Sequence, residues 1–265
     1  MRGNNRLGIV LQGRDHHFLA ELAVMRVVDR EQARIVAGFG STTRVNTRLL
    51  ALCRAGLLRR FFLGVTASSR KALYALSARG AAVSVSPRRG PRHRNNEVLV
   101  ADLFISHQLA INDIYCALKY GAEPVPGACF GRWIFFSKPL TETLNLIPDA
   151  YLELMASSGI IAAFLEVDLG HERLAVWKDK INKYLRFAIS SDFERLSGQK
   201  QFRVLAIVNS ERRLESIRKV VRASTHKVFW FATIQSVRSR GLFGAGWLRP
   251  EGTELQPLIP HHSSS

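Results

Sequence analysis

The sequence predicts a two-domain α+β protein: a three-helix unit closed by a β-hairpin, then a mixed sheet covered by helices. Three observations predict it. Apolar residues recur at helical spacing through the first part of the chain and only then give way to short strand-like runs. A Pro-, Gly- and Arg-rich stretch at 84–96 then interrupts the chain with almost nothing to bury. Beyond it, strand candidates come first and afterwards alternate with helices, the order of a mixed sheet with helical cover. With 265 residues, 47% of them hydrophobic, the chain can fill two modest cores, which excludes a wholly disordered protein.

In the first domain, Phe18, Leu19, Leu22, Met25 and Val28 form a helical stripe over residues 15–28, with Asp15 at its start. Residues 29–37 read as a short second helix with an acidic first turn. Gly38-Phe39-Gly40 supplies a tight turn, and Ser41 is placed to cap a third helix over residues 42–55. That helix buries Val45, Leu49, Leu52 and Cys53. Thr43, Arg44, Thr47 and Arg54 lie on its opposite face, with Arg48 on the flank. Residues 57–63 and 71–76 flank a Gly/Ser/Thr turn as a hairpin. These are the parts of a winged helix-turn-helix over residues 1–83. Its third helix would enter a major groove, while Arg59, Arg60, Arg70 and Lys71 on the wing meet phosphates. Arg44 is the candidate for a base contact, since a guanidinium pairs in two-pronged fashion with guanine. The plainer alternative is a three-helix protein-interaction module with a solvated basic face.

Charge favours the first alternative. The formal net charge is +17, and residues 1–97 carry 18 Lys+Arg against 5 Asp+Glu, whereas the remainder carries 20 against 16. Basicity localised in this way calls for a polyanion, with double-stranded DNA first. Residues 84–97 form a basic linker whose Arg88 and Arg89 would lie along phosphates. No membrane partner is expected: the longest apolar run, 160–165, falls far short of the roughly 20 residues a span needs. The N-terminus has no apolar leader, so a cytoplasmic location is expected. Cys53, Cys116 and Cys129 show neither disulfide nor zinc spacing.

The second domain, 98–235, is expected to open with a buried helix over 98–119, placing Leu103, His107, Ala110, Ile114 and Leu118 near one face, with His107 a core histidine. Strands are expected at 129–137, 150–155, 160–169, 202–208 and 228–234, and helices at 172–189 and 212–222. Phe229, Trp230 and Phe231 suit a buried strand, and residues 236–265 read as an irregular tail.

The chemistry lies in Pro148-Asp149 followed by Glu166-Val167-Asp168. Glu166 and Asp168 are two residues apart on a strand and project from one face, while Asp149 starts a neighbouring strand. Carboxylates from adjacent strand ends can converge on a hard cation, so Asp149, Glu166 and Asp168 are candidate ligands for Mg²⁺, which would serve hydrolytic attack on phosphate. The nuclease pattern PD-(D/E)xK would place its lysine at 168, where this chain has Asp. In the following helix Lys178 and Lys180 flank the packed face, and either could deliver an ammonium to the site. The plainer alternative is a pair of strand-end carboxylates pairing with Arg and Lys.

Several pieces in order resemble the replication-relaxation family of plasmid and mobile-element proteins. They are Arg14-Asp15, Arg48-Leu49, the segment from Ala55 to Arg59, His107 with Asn112-Asp113, Pro148-Asp149-Ala150, the segment from Glu166 to Gly170, Lys180 with Tyr184, and Gly244-Ala245-Gly246-Trp247. His171 departs from the Thr usual in the family. The resemblance implies an N-terminal winged helix joined to a mixed-sheet PD-(D/E)xK nuclease-like domain, and Lys180 rather than Lys178 as the catalytic lysine. It also implies a role in plasmid replication, DNA relaxation or mobilisation, alongside a relaxase or replication proteins. Two functions follow: a DNA-binding protein that nicks DNA with Asp149, Glu166, Asp168 and Lys180, or a non-enzymatic regulator whose second domain is a homodimerisation or docking platform.

Overall fold

The computed structural model describes residues 8–64, 70–84, 102–121 and 128–259. It divides into two compact units, Met1–Cys116 and Ala117–Ser265. Both mix helix and strand, as expected. Arg88 and Arg89 lie outside the described residues.

The first unit contains α1 (Gly13–Met25), β1 (Val27–Asp29), α2 (Arg30–Val36), α3 (Thr42–Arg54), β2 (Leu58–Gly64), β3 (Arg70–Leu76), α4 (Ala78–Ser84) and most of α5 (Asp102–Tyr120). Its antiparallel sheet runs β1-β3-β2. The first helix ends at Met25, earlier than its apolar stripe predicts, because Val27 and Val28 leave the helix to pair with Ala75 and Tyr74. Asp29 then caps α2, accepting from the Gln32 N–H at 2.8 Å, and Ser41 caps α3, accepting from the Arg44 N–H at 3.3 Å. Gly56 takes φ +71° immediately after α3, a left-handed turn that glycine adopts without strain. Phe18, Leu19, Leu22 and Met25 of α1 and Val45, Leu49 and Leu52 of α3 are all buried.

The helix α5, read as the opening of the second domain, packs instead on the first unit up to Cys116. Its buried face is polar where the hydrophobic stripe gave no sign of it. The Asn112 amide donates to the carbonyls of Met25 at 3.1 Å and Val27 at 2.6 Å, closing the backbone where α1 gives way to β1. Tyr115 donates to Glu21 at 2.6 Å, and Gln32 donates to Leu109 O and Asp113. Leu103, placed on the buried face by periodicity, is exposed, and His107 is half-buried. Ile105 and Leu109 take the apolar role against Val27, Leu63 and Leu73.

The second unit is built on a five-stranded sheet in the order β4-β5-β6-β7-β8. The strands are β4 (Cys129–Ile134), β5 (Ala150–Ala156), β6 (Gly159–Asp168), β7 (Arg203–Val208) and β8 (Phe229–Thr233). The β4, β5 and β6 pairings are antiparallel, and β6, β7 and β8 run parallel. Parallel neighbours need crossovers, which α6 (Leu174–Ile189) with α7 (Asp192–Ser197), and then α8 (Glu211–Arg222), provide. One side of the sheet, with Ala162, Phe164, Val204, Ala206 and Phe231, packs on Trp177, Ile181, Tyr184 and Phe187 of α6 and on Leu214, Ile217 and Val221 of α8.

The segment expected to be an irregular tail is ordered. It contains α9 (Ile234–Arg240), β9 (Ala245–Trp247) and β10 (Gln256–Pro257). Trp247 is buried, and its indole N–H donates to Leu242 O at 2.7 Å. Few apolar residues at regular spacing mark this stretch, so its glycines and prolines dominate the reading. Among the described residues no helix is long and apolar enough to cross a membrane.

Candidate functional site

Two regions carry the residues singled out by sequence. In the first unit, Val45, Leu49 and Leu52 sink one side of α3, and Thr43, Arg44, Thr47 and Arg54 stand exposed on the other. Arg48 is different. Its guanidinium donates to both Asp15 oxygens, at 2.8 and 2.5 Å, and to Val10 O at 2.8 Å. Burial alone would raise the Asp15 carboxyl; Arg48, with the Gln12 N–H, outweighs it and holds the carboxyl below its ordinary value. Arg48 therefore ties α3 to the start of α1, a role its flank position did not reveal.

The hairpin register divides the four wing cations between two faces. Arg60 pairs with Tyr74 and Gly64 with Arg70, so Arg60 and Arg70 share a face with Phe62, which is exposed and lies 4.9 Å beneath the Arg60 guanidinium. Arg59 and Lys71 point to the other face, where Leu63 and Leu73 are buried, and Lys71 pairs with Asp29. Period-two alternation makes this split unavoidable for adjacent cations.

In the second unit, Glu166 and Asp168 both point beneath α6 with Ala162 and Phe164, because they occupy alternate positions of β6. Their surroundings differ. The Tyr184 hydroxyl donates to Glu166 Oε1 at 2.6 Å, and Lys180 donates to Glu166 Oε2 at 2.8 Å. These two donors sit one turn apart on α6, which puts both over one carboxylate. Lys180 also donates to both oxygens of Glu172, at 2.8 and 2.9 Å. Asp149, immediately before β5, is pinned beside them: its Oδ2 accepts from Val167 N–H at 2.7 Å, and its own N–H donates to Leu165 O at 3.2 Å.

Burial lifts the Glu166 carboxyl to about 7, with Lys180 pulling it down and the nearby Asp149 charge pushing it up. Burial would also neutralise Lys180, but Glu166, Glu172 and Asp149 outweigh it and hold the ammonium charged. Burial and the Glu166 charge raise the Tyr184 hydroxyl far above its ordinary value, so it acts as a neutral donor.

Asp168 does not join this group. Its Oδ1 accepts from Gly170 N–H at 2.6 Å, and its Oδ2 accepts from Trp177 Nε1 at 2.6 Å and from Arg213 at 3.0 and 2.5 Å. Arg213 also reaches Glu172 O. Gly170 has φ +92°, and an added side chain would run into the Asn209 amide. Asp168 thus fastens the β6–α6 turn. Among the described residues, no three His, Cys, Asp or Glu side chains form a metal-holding group. The expected trio of metal ligands is therefore a pair, Asp149 and Glu166. That pair fits Mg²⁺, which takes one or two carboxylates and completes its shell with water and substrate oxygens; each Glu166 oxygen, although hydrogen-bonded, keeps acceptor capacity. Of the two candidate lysines, Lys180 is at the site, while Lys178 is exposed on α6. Glu172, Trp177 and Arg213 were missed as participants; only Trp177 had a signal, its place on the packed stripe of α6.

A family profile described as replication-relaxation matches residues 14–200, more than two thirds of the chain. No curated protein matches the chain, and no solved structure does.

Proposed function

Because the chain belongs to the replication-relaxation family, we propose that it binds the DNA of a plasmid or integrative mobile element and acts in its replication, relaxation or mobilisation, nicking that DNA with a divalent cation. The observation that carries the nicking half is the grouping of Asp149, Glu166, Lys180 and Tyr184 at the sheet end beneath α6. On this reading the first unit is a winged helix-turn-helix. Thr43, Arg44, Thr47 and Arg54 of α3 face the groove, and Arg60 and Arg70 lead the wing against phosphates. Asp149 and Glu166 hold Mg²⁺, which when bound supplies Lewis-acid stabilisation and an activated water. Lys180 offers its charge to a phosphate oxygen in place of Glu172. Tyr184 fixes the Glu166 carboxylate by its hydroxyl, and Asp168 with Arg213 holds the turn from which Glu172 projects.

Incubation of the full chain with supercoiled plasmid and Mg²⁺ or Mn²⁺ tests this. Wild type should yield open circles, and Asp149→Asn and Lys180→Met should not. If wild type leaves the plasmid intact across a range of substrates, nicking fails. A second reading then gains, in which the second unit is a homodimerisation or docking platform for a relaxase or replication protein. It is favoured by Asp168 standing where the nuclease pattern has lysine and being fully engaged by Trp177 and Arg213.

A further inference from the structure

Trp230 of β8 is not sunk in the core like its neighbours Phe229 and Phe231. It is half-buried, and two guanidinium carbons, of Arg203 and Arg249, each lie 4.5 Å from its ring centroid. Each arginine is anchored to backbone carbonyls only: Arg203 to Leu258 O, Arg249 to Phe229 O at 3.1 Å and His226 O at 3.3 Å. Neither pairs with a carboxylate. Glu251, two residues beyond Arg249, is turned to His226 at 3.0 Å.

Two cations are thus drawn together on one aromatic ring, partly out of water and without a counter-charge. Burial, and for Arg203 also the charge of Arg249, lowers their pKa values from the ordinary arginine value. Stacking on an indole offsets part of that cost and fixes the guanidinium planes, leaving most of their N–H groups for another acceptor. The acceptor that matches two such forks is a tetrahedral oxyanion carrying negative charge. We propose that Arg203 and Arg249, held on Trp230, form a phosphate-binding site of the second unit, separate from the carboxylate grouping at Glu166. The phosphate belongs either to a nucleic-acid backbone or to a small phosphorylated molecule.

All four tryptophans lie in the second unit, and W230F removes the one at this site. The full chain, W230F and R203Q/R249Q are titrated with inorganic phosphate, against chloride at matched ionic strength, and separately with duplex DNA. The expected result is a change of tryptophan emission in wild type that W230F lacks, and affinity at least about tenfold weaker in R203Q/R249Q. If the source is DNA, the slope of log affinity against log salt falls by about 1.8 in that variant, two phosphates at about 0.9 each. If the source is a small molecule, inorganic phosphate gives the emission change and the DNA slope is unaltered. Should R203Q/R249Q fail to fold, R249Q alone carries the test, with an expected fall of about 0.9 or a correspondingly smaller loss of phosphate affinity. The proposal is overturned if neither titrant moves Trp230 emission, or if the folded variants bind both titrants as wild type does. Loss of DNA binding on changing only Arg44, Arg60 and Arg70 bears on the first unit and leaves this outcome unaffected.

Discussion

Replacing Lys180 with Met leaves the Glu166 carboxylate, 1% exposed, with only the Tyr184 hydroxyl to answer its charge. Removing one partner of a buried pair costs about 3–5 kcal/mol, because the survivor is a buried charge without compensation. That cost must depend on pH. Glu166 has its carboxyl raised from the ordinary 4.5 to about 7 in the folded protein, so the folded state binds the proton more tightly than the unfolded chain. For such a group, stability is complete below about 4.5 and is lost as pH rises toward the folded value, at about 1.4 kcal/mol per unit. In wild type this loss ends near 7. In K180M the ammonium that pulls the carboxyl down is gone, so the folded value moves higher and the loss continues past 7. At pH 5.5 Glu166 is neutral in both proteins and K180M gives up chiefly its pairing with half-exposed Glu172, worth about 1 kcal/mol or less. The gap should widen to about 3–5 kcal/mol by about pH 8. Since all four tryptophans belong to the second unit, urea unfolding followed by tryptophan emission reads that unit selectively. K180M/E166Q should recover most of the loss at the higher pH. A cost for K180M that is the same at both pH values, or no recovery in the double variant, would refute a charged Glu166–Lys180 pair at the heart of the site.

Three further outcomes follow. D15N should destabilise the first unit by about 3 kcal/mol by leaving the Arg48 guanidinium half-buried without its carboxylate. The wild-type contribution should be intact above the ordinary Asp value of 3.8 and vanish as pH falls through the depressed folded value; acid titration of α-helical CD in both proteins checks this. N112A strands the Met25 and Val27 carbonyls and should cost about 1–3 kcal/mol, with amide exchange accelerating first at β1. D168N should loosen the β6–α6 turn and lower the melting temperature, yet retain Mn²⁺ binding measured calorimetrically, whereas D149N should lose it. Loss of Mn²⁺ in a folded D168N would return Asp168 to the ligand set.

Element order in both units was legible because amphipathic helices and apolar strands advertise their period. The missed elements are those whose burial is polar or irregular. Asn112 and Gln108 give α5 its buried face, so an apolar count turns that helix the wrong way and attaches it to the wrong unit. Trp247 and Leu258 pack a segment that glycine and proline make look loose. At the site, strand alternation correctly placed Glu166 and Asp168 on one face, but no pattern in sequence says which donors reach each carboxylate. Arg213 arrives from 45 residues away to claim Asp168. Arg48 and Lys71 illustrate the same limit, since a cation on a flank reads alike whether it meets a phosphate or an aspartate.

The most direct test measures duplex affinity of the full chain across a salt series, for wild type and for R44A/R60A/R70A. Steep salt dependence in wild type, with weaker binding and a slope reduced by about 1.8 to 2.7 in the variant, is the predicted result for two or three lost phosphate contacts. Wild-type binding that ignores salt, or a folded variant that grips DNA with undiminished affinity and slope, would contradict a DNA-reading role for the first unit.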